Sequence, residues 1–173
     1  MRRTSLLLTV LGWLAMLSSP ASAQQLVGKP RVIPFKGGSV TVTRQGNVDQ
    51  VRVTGSKGEG MADSMCYMPV GSYDQFASFF KRFVSAYRGG RRAEIAAMVA
   101  YPLQVNGVNS VRVDSSTSLL KQFGNVFTPN VNKAILTAQP EVVFCRDDAA
   151  MLADGEIWAR LVQGQIKVVV VNH

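Results

Sequence analysis

The sequence predicts an α+β fold, formed as a single domain once a short leader is removed. Three observations carry this reading. Valines alternate with polar residues between Val40 and Val53, an aromatic stripe with helical spacing runs from Phe76 to Tyr87, and four β-like runs close the chain between Glu141 and Asn172. With 173 residues, 47% of them hydrophobic and 17% charged, the chain is long enough for one sizeable core and too apolar to remain unfolded.

The leader comes first. Arg2 and Arg3 precede an apolar run from Leu6 to Leu17, and Ala21-Ser22-Ala23 forms a small-residue cleavage box. Together these read as a secretory signal peptide over residues 1–23. A membrane anchor needs about 20 apolar residues, whereas Ser18, Ser19 and Pro20 interrupt this run, and no cysteine follows it to take a lipid. The expected product begins at Gln24, carries no membrane anchor and is periplasmic or secreted. Losing two arginines and no acid takes its formal charge from +8 to +6. In an oxidising compartment Cys66 and Cys145, the only cysteines, are expected to form a disulfide, with two separately buried thiols as the alternative.

Residues 24–70 read as a β-rich amino-terminal extension. Val40 and Val42 alternate with threonines, Gln45-Gly46-Asn47 turns the chain, and Val48, Val51 and Val53 return it as a hairpin. The glycine-rich stretch 55–60 reads as a connection. It fails as a phosphate loop because no Lys-Ser or Lys-Thr follows its last glycine.

Residues 71–173 form the main domain. Ser72-Tyr73-Asp74-Gln75 has the form of a capping box, and Phe76, Phe79, Phe80, Phe83, Val84 and Tyr87 then fall on one helical face. Gly89-Gly90 supplies the left-handed stop. A second helix from about Arg91 carries Ile95, Met98 and Val99 inward and is ended by Pro102, since the residue before proline is pushed out of helical geometry. Lys81, Arg82, Arg88, Arg91 and Arg92 gather at the turn between these helices. They read as solvated charge, with Arg91 and Arg92 at the positive helix end hinting at an external anion.

Leu103 and Val105, the turn Asn106-Gly107, and Val111 and Val113 predict a second hairpin. Asp114 to Ser118 offers N-caps for a third helix carrying Leu119, Leu120 and Phe123. That helix breaks near Thr128-Pro129, resumes through Ala134 and Ile135, and closes at Pro140. A meander follows over 141–146, 149–153, 156–162 and 165–172. In its last run Ile166, Val168 and Val170 lie on one face and Val169 and Val171 on the other. Both faces are therefore expected to be covered, one by the three helices and the other by the amino-terminal hairpin or by a second copy of the chain, as a homodimer.

Two helices, a short hairpin, a third helix and a four-strand meander is the element order of the nuclear transport factor two-like superfamily. Residues 72–172 resemble it, most closely at Tyr101-Pro102-Leu103 and Gly155-Glu156-Ile157-Trp158, which are similar to stretches in small exported members of uncharacterised function. The resemblance implies a strongly curved antiparallel sheet wrapped on three helices as a cone, with the amino-terminal β-hairpin as an extension outside the pattern. The open end of such a cone holds a small molecule in ketosteroid isomerases and dehydratases and nothing in other members, so the fold does not fix the function.

Several chemistries are disfavoured by composition. His173, the one histidine, is the last residue and is expected to fray, which removes histidine-based triads and leaves neither cysteine a base. Asp147, Asp148, Asp154 and Glu156 read as turn formers. Asp148 and Asp154 flank one strand, about 20 Å apart at about 3.3 Å per residue, whereas calcium ligands converge within about 2.6 Å of the ion. Neither a metal nor a cofactor is expected. Nucleic acid is not expected either, because no basic stripe interleaves with aromatics.

The expected function is an exported, non-catalytic binding module for a small ligand or an envelope protein partner. Tyr101, Arg112 and Trp158 are the candidate contacts. Trp158 shares a strand face with Glu156 and Arg160, opposite the more apolar face of Ile157, Ala159 and Leu161. Two alternatives stand beside this reading. One is an isomerase- or dehydratase-type enzyme using a buried carboxylic acid, with Asp114 as the candidate; the other is an inhibitor or immunity-type protein that engages its partner through the basic corner.

Overall fold

The computed structural model describes residues 27–55, 64–69, 71–146 and 148–173. The leader over 1–23, most of the connection 55–60, and Asp147 lie outside these residues. The first four strands, β1 (Arg31–Phe35), β2 (Gly38–Gln45), β3 (Val48–Gly55) and β4 (Ser64–Pro69), pair in sequence order as one antiparallel sheet. The amino-terminal extension is thus a four-stranded sheet, with the expected hairpin as its centre and Gly46 at φ 60° in the turn. Val40, Val42, Val51, Val53, Cys66 and Met68 are buried and alternate with more exposed neighbours, as a half-solvated antiparallel sheet requires.

Helix α1 (Ser72–Arg88) begins where expected but is not capped as expected. Ser72 makes no capping bond. Gly71 occupies the N-cap position at φ 82°, a left-handed conformation that a side chain strains, and its N–H donates to Asp49 Oδ2 at 2.8 Å. Asp49 is only 5% exposed and lies 3.7 Å from the Arg44 Nε. The cap is therefore supplied across the fold by β3, and the Ser72 to Gln75 pattern is coincidental. At the other end, Gly90 is at φ 63°, and the N–H groups of Gly90 and Arg91 donate to the carbonyls of Tyr87 and Ala86. That is a Schellman stop.

The remaining elements are α2 (Arg92–Ala97), β5 (Val99–Asn106), β6 (Val111–Val113), α3 (Ser116–Lys121), α4 (Phe123–Val126), α5 (Pro129–Thr137), β7 (Phe144–Arg146), β8 (Ala149–Leu152), β9 (Ile157–Val162) and β10 (Gln165–Asn172). The expected third helix is thus three short pieces. Ser115 caps the first, accepting the Ser118 N–H, and Thr128 caps the last, accepting from Val131 with Pro129 in the first turn. Helix α2 ends at Ala97, before Pro102, which corrects the expected boundary. Pro102 instead lies inside β5. There the pairing with β10 slips from Val99↔Val168 to Gln104↔Val170, so residues 100–103 bulge out of the ladder, where a residue lacking an N–H is tolerated.

The second sheet has the order β6-β5-β10-β9-β8-β7, antiparallel except for the parallel pair β5 and β10. The fold is α+β, with five helices and two sheets among the described residues. The register of β10 shifts between Val168 and Val170 against both neighbours: opposite β9 Val169 is the extra residue, whereas opposite β5 the extra residues lie on β5. Val168 and Val171 are consequently both 0% exposed on the helix face, while Val169 and Val170 are half-buried. Simple alternation, which placed Val168 and Val171 on opposite faces, is corrected by this bulge.

The expected hairpin cover is also corrected. The amino-terminal sheet packs on α1 and meets the second sheet at its β7 edge, where Cys66 and Cys145 are joined as a disulfide with Cα atoms 5.6 Å apart. One hydrophobic cluster runs through both sheets and the helices. Among the described residues no helix is long and apolar enough to cross a membrane.

Candidate functional site

The space between helices and six-stranded sheet is filled with hydrocarbon. Leu103, Val105, Ile157 and Val168 from the sheet meet Phe83, Leu119, Val131 and Ile135 from the helices, all at most 1% exposed. Eight aromatic contacts with centroids 4.6–6.4 Å apart tie the α1 stripe to Phe123 and Phe127. Asp114, the candidate buried acid, is exposed. Among the described residues the buried charge is Asp49, already engaged by Gly71 and Arg44 in the other sheet.

The three candidate contacts do not converge inside the fold. Tyr101 is half-buried at the core margin, and its hydroxyl donates to the Ala96 carbonyl at 3.0 Å, fastening β5 to α2. Burial pushes its pKa up to about 12. Tyr73 behaves alike. Its hydroxyl donates to the Glu141 carbonyl at 2.9 Å, and burial, partly offset by Arg31, pushes it up to about 12.

Arg112 and Trp158 are brought together on the opposite, outer face of the sheet. The pairings Arg112↔Gln104, Gln104↔Val170, Val170↔Trp158, Trp158↔Met151 and Met151↔Phe144 make one transverse row across all six strands. At about 4.8 Å per strand, Arg112 and Trp158 stand about 14 Å apart. Beside this row, the Arg146 guanidinium sits 5.2 Å over the Trp158 ring, a cation–π arrangement. Arg160 lies 3.7 Å from the exposed Asp148, and Asn106 donates to Asn172 at 2.9 Å.

Trp158, Arg146 and Asn172 separate two shallow depressions of about 290 and 400 Å³. The six strands carry Arg112, Arg146, Arg160 and Lys167 and no acid; the acids of the depressions come from the bordering turns, Asp154 and Glu156 in the larger and Asp148 in the smaller. Arg146 was absent from the sequence candidates. The turn expected at Asp147-Asp148 contained its signal, because that turn pairs Arg146 with Ala149 and hence with Arg160 on one face.

The turn acids have other partners. Glu156 Oε2 accepts the Asp154 N–H at 2.8 Å, and Asp148 faces Arg160. His173 is not frayed: its N–H donates to the Asn106 carbonyl at 2.8 Å and a ring nitrogen lies 2.9 Å from the Val126 carbonyl.

The basic corner is dispersed. Lys81 pairs with Glu141 at 3.4 Å, Arg88 donates to the Leu136 carbonyl, Arg91 pairs with Glu94 at 2.6 Å, and Arg92 covers Phe123 at 5.0 Å. Arg82 instead lines a groove of about 720 Å³ between α1 and the β9–β10 hairpin. No family model, no curated protein and no solved structure matches the chain.

Proposed function

We propose that the chain is an exported, non-catalytic binding module of the nuclear transport factor two-like kind, which takes an acidic envelope protein on the outer face of its six-stranded sheet. The element order α1, α2, the β5–β6 hairpin, α3 to α5 and the β7–β10 meander supports the family reading, in which the sheet curves around the helices as a cone. The disulfide is compatible with an oxidising compartment outside the cytoplasm.

One observation carries the function: a half-buried aromatic and aliphatic row, Trp158 and Val170, flanked by Arg112, Arg146 and Arg160 on strands that contain no acid. Aromatic residues with arginine neighbours are the groups that dominate protein interfaces. The same charge argues against a second copy of the chain as the occupant. A two-fold contact sets the same surface patch against itself, and the strand residues of this patch are cationic with no acid among them, the acids lying on the bordering turns.

Native mass spectrometry of the protein isolated from the envelope under non-reducing conditions tests this. The expected result is a heteromeric species that is lost on Trp158→Ala or Arg112→Glu, with monomer melting unchanged. A homodimer sensitive to the same variants would replace the acidic partner by a second copy. A partner retained by both variants would overturn the assignment of the face.

A further inference from the structure

The groove between α1 and the β9–β10 hairpin is a second, chemically different place on the molecule. Its apolar side consists of Phe79, Met98, Ile166 and Leu161. Leu161 is 60% exposed although it occupies the helix-facing phase of β9, so the hairpin extends past the hydrocarbon that covers the rest of that face. The hairpin is held rigidly by a two-residue turn, with Gln163 at φ 48° and Gly164 at φ 78°.

The charge in the groove is unbalanced. Asp74 is neutralised by Arg31 at 2.7 Å. Arg82 has no hydrogen bond or ion pair to any described residue, and it lines the groove together with Lys167. Lys167 gives one N–H to the Ala97 carbonyl at 2.7 Å, which leaves two of its three ammonium donors. The groove is open to solvent along its length and offers about 720 Å³, room for an extended chain laid along it.

We propose that this groove binds a small anionic amphiphile, an alkyl carboxylate whose head meets Arg82 and Lys167 and whose chain lies on Leu161, Ile166 and Met98. Charge complementarity selects the anion: Arg82 lines the groove from α1, the Lys167 ammonium lies at its rim on the Ala97 carbonyl, and the one acid among the lining residues is already paired. The otherwise solvated Leu161 selects the aliphatic chain. The inference is independent of the protein-partner reading, because neither Trp158 nor Arg112 lines this space.

The test uses decanoate below its micellar concentration, added to the mature, oxidised protein and followed by titration calorimetry and native mass spectrometry. The expected result is saturable one-to-one binding, at least tenfold weaker for decanol, for Arg82→Ala and for Leu161→Asp, and unchanged for Trp158→Ala. Arg82 and Leu161 are exposed, so both variants should melt as the parent does; Arg82→Lys, which keeps the charge, should retain most of the affinity. Absence of binding overturns the proposal. So does equal affinity for decanoate and decanol, or decanoate affinity that neither Arg82→Ala nor Leu161→Asp alters.

Discussion

Asp49 does for α1 what the serine at its start does not. Its carboxylate accepts the Gly71 N–H from within the amino-terminal sheet, a contact between residues too far apart for local sequence patterns to reveal. Asp49→Ala leaves that N–H unpaired beside a buried site and is expected to cost about 1–3 kcal/mol. Asp49→Asn, which keeps an acceptor oxygen, should lose less; equal losses in urea denaturation would mean that the charge rather than the cap is what counts. Tyr73 provides a second residue-level case. Its hydroxyl bond to Glu141 should make Tyr73→Phe cost about 1 kcal/mol at neutral pH. Burial raises the folded-state pKa of Tyr73 and Tyr101 to about 12, above the ordinary 10. Ionisation therefore favours the unfolded chain. Stability should hold up to about pH 10 and fall as the pH rises toward 12, and thermal melts over pH 8–12 should show a shallower fall in Tyr73→Phe than in the parent.

At the scale of elements, what could be read from sequence was what local chemistry writes. The α1 stripe, its Gly90 stop, the Gly46 turn, the start of α3 at Ser115 and the break before α5 at Thr128 all depend on residues within a few positions of each other. Pro102 and the phase of β10 do not. Both are decided where β5 and β10 pair out of step, and the run Val168-Val169-Val170-Val171 carries no polar residue to mark which valine is the extra one. Strands β1 and β4 were also hard to see, because Pro34 interrupts one and Ser64-Met65-Cys66-Tyr67 gives the other no valine alternation. The site was legible in part. Arg112 and Trp158 share a face, but recognising that face as the outer one required the register of all six strands. The bulge makes a specific prediction. Val171→Asp places a charge at a fully buried position and should cost at least about 3 kcal/mol, whereas Val169→Asp, half-buried on the outer face, should cost about 1 kcal/mol or less. Comparable losses from the two in chemical denaturation would contradict the bulged register.

The whole molecule is held as one unit by α1, which gives buried side chains to a hydrophobic cluster shared by both sheets. Neither sheet can release this helix without exposing its own apolar face. The disulfide ties the same two sheets at the β4 and β7 edges, across a sequence separation of 79 residues. In the chain-entropy picture such a closure stabilises by about 4 kcal/mol, chiefly by restricting the unfolded chain. Removing it should therefore lower stability without dividing the molecule. The double variant Cys66→Ser with Cys145→Ser is expected to unfold at lower denaturant, by up to about 4 kcal/mol, still in a single transition. Two probes report the two sheets separately. Trp158, the one tryptophan among the described residues, reads the six-stranded sheet by fluorescence, and amide exchange at Val40 and Val51 reads the four-stranded one. In the double variant both should give the same midpoint. If Val40 and Val51 lose protection in an earlier transition while the Trp158 signal is unchanged, α1 does not couple the sheets, and the disulfide rather than the shared core is what makes them one body.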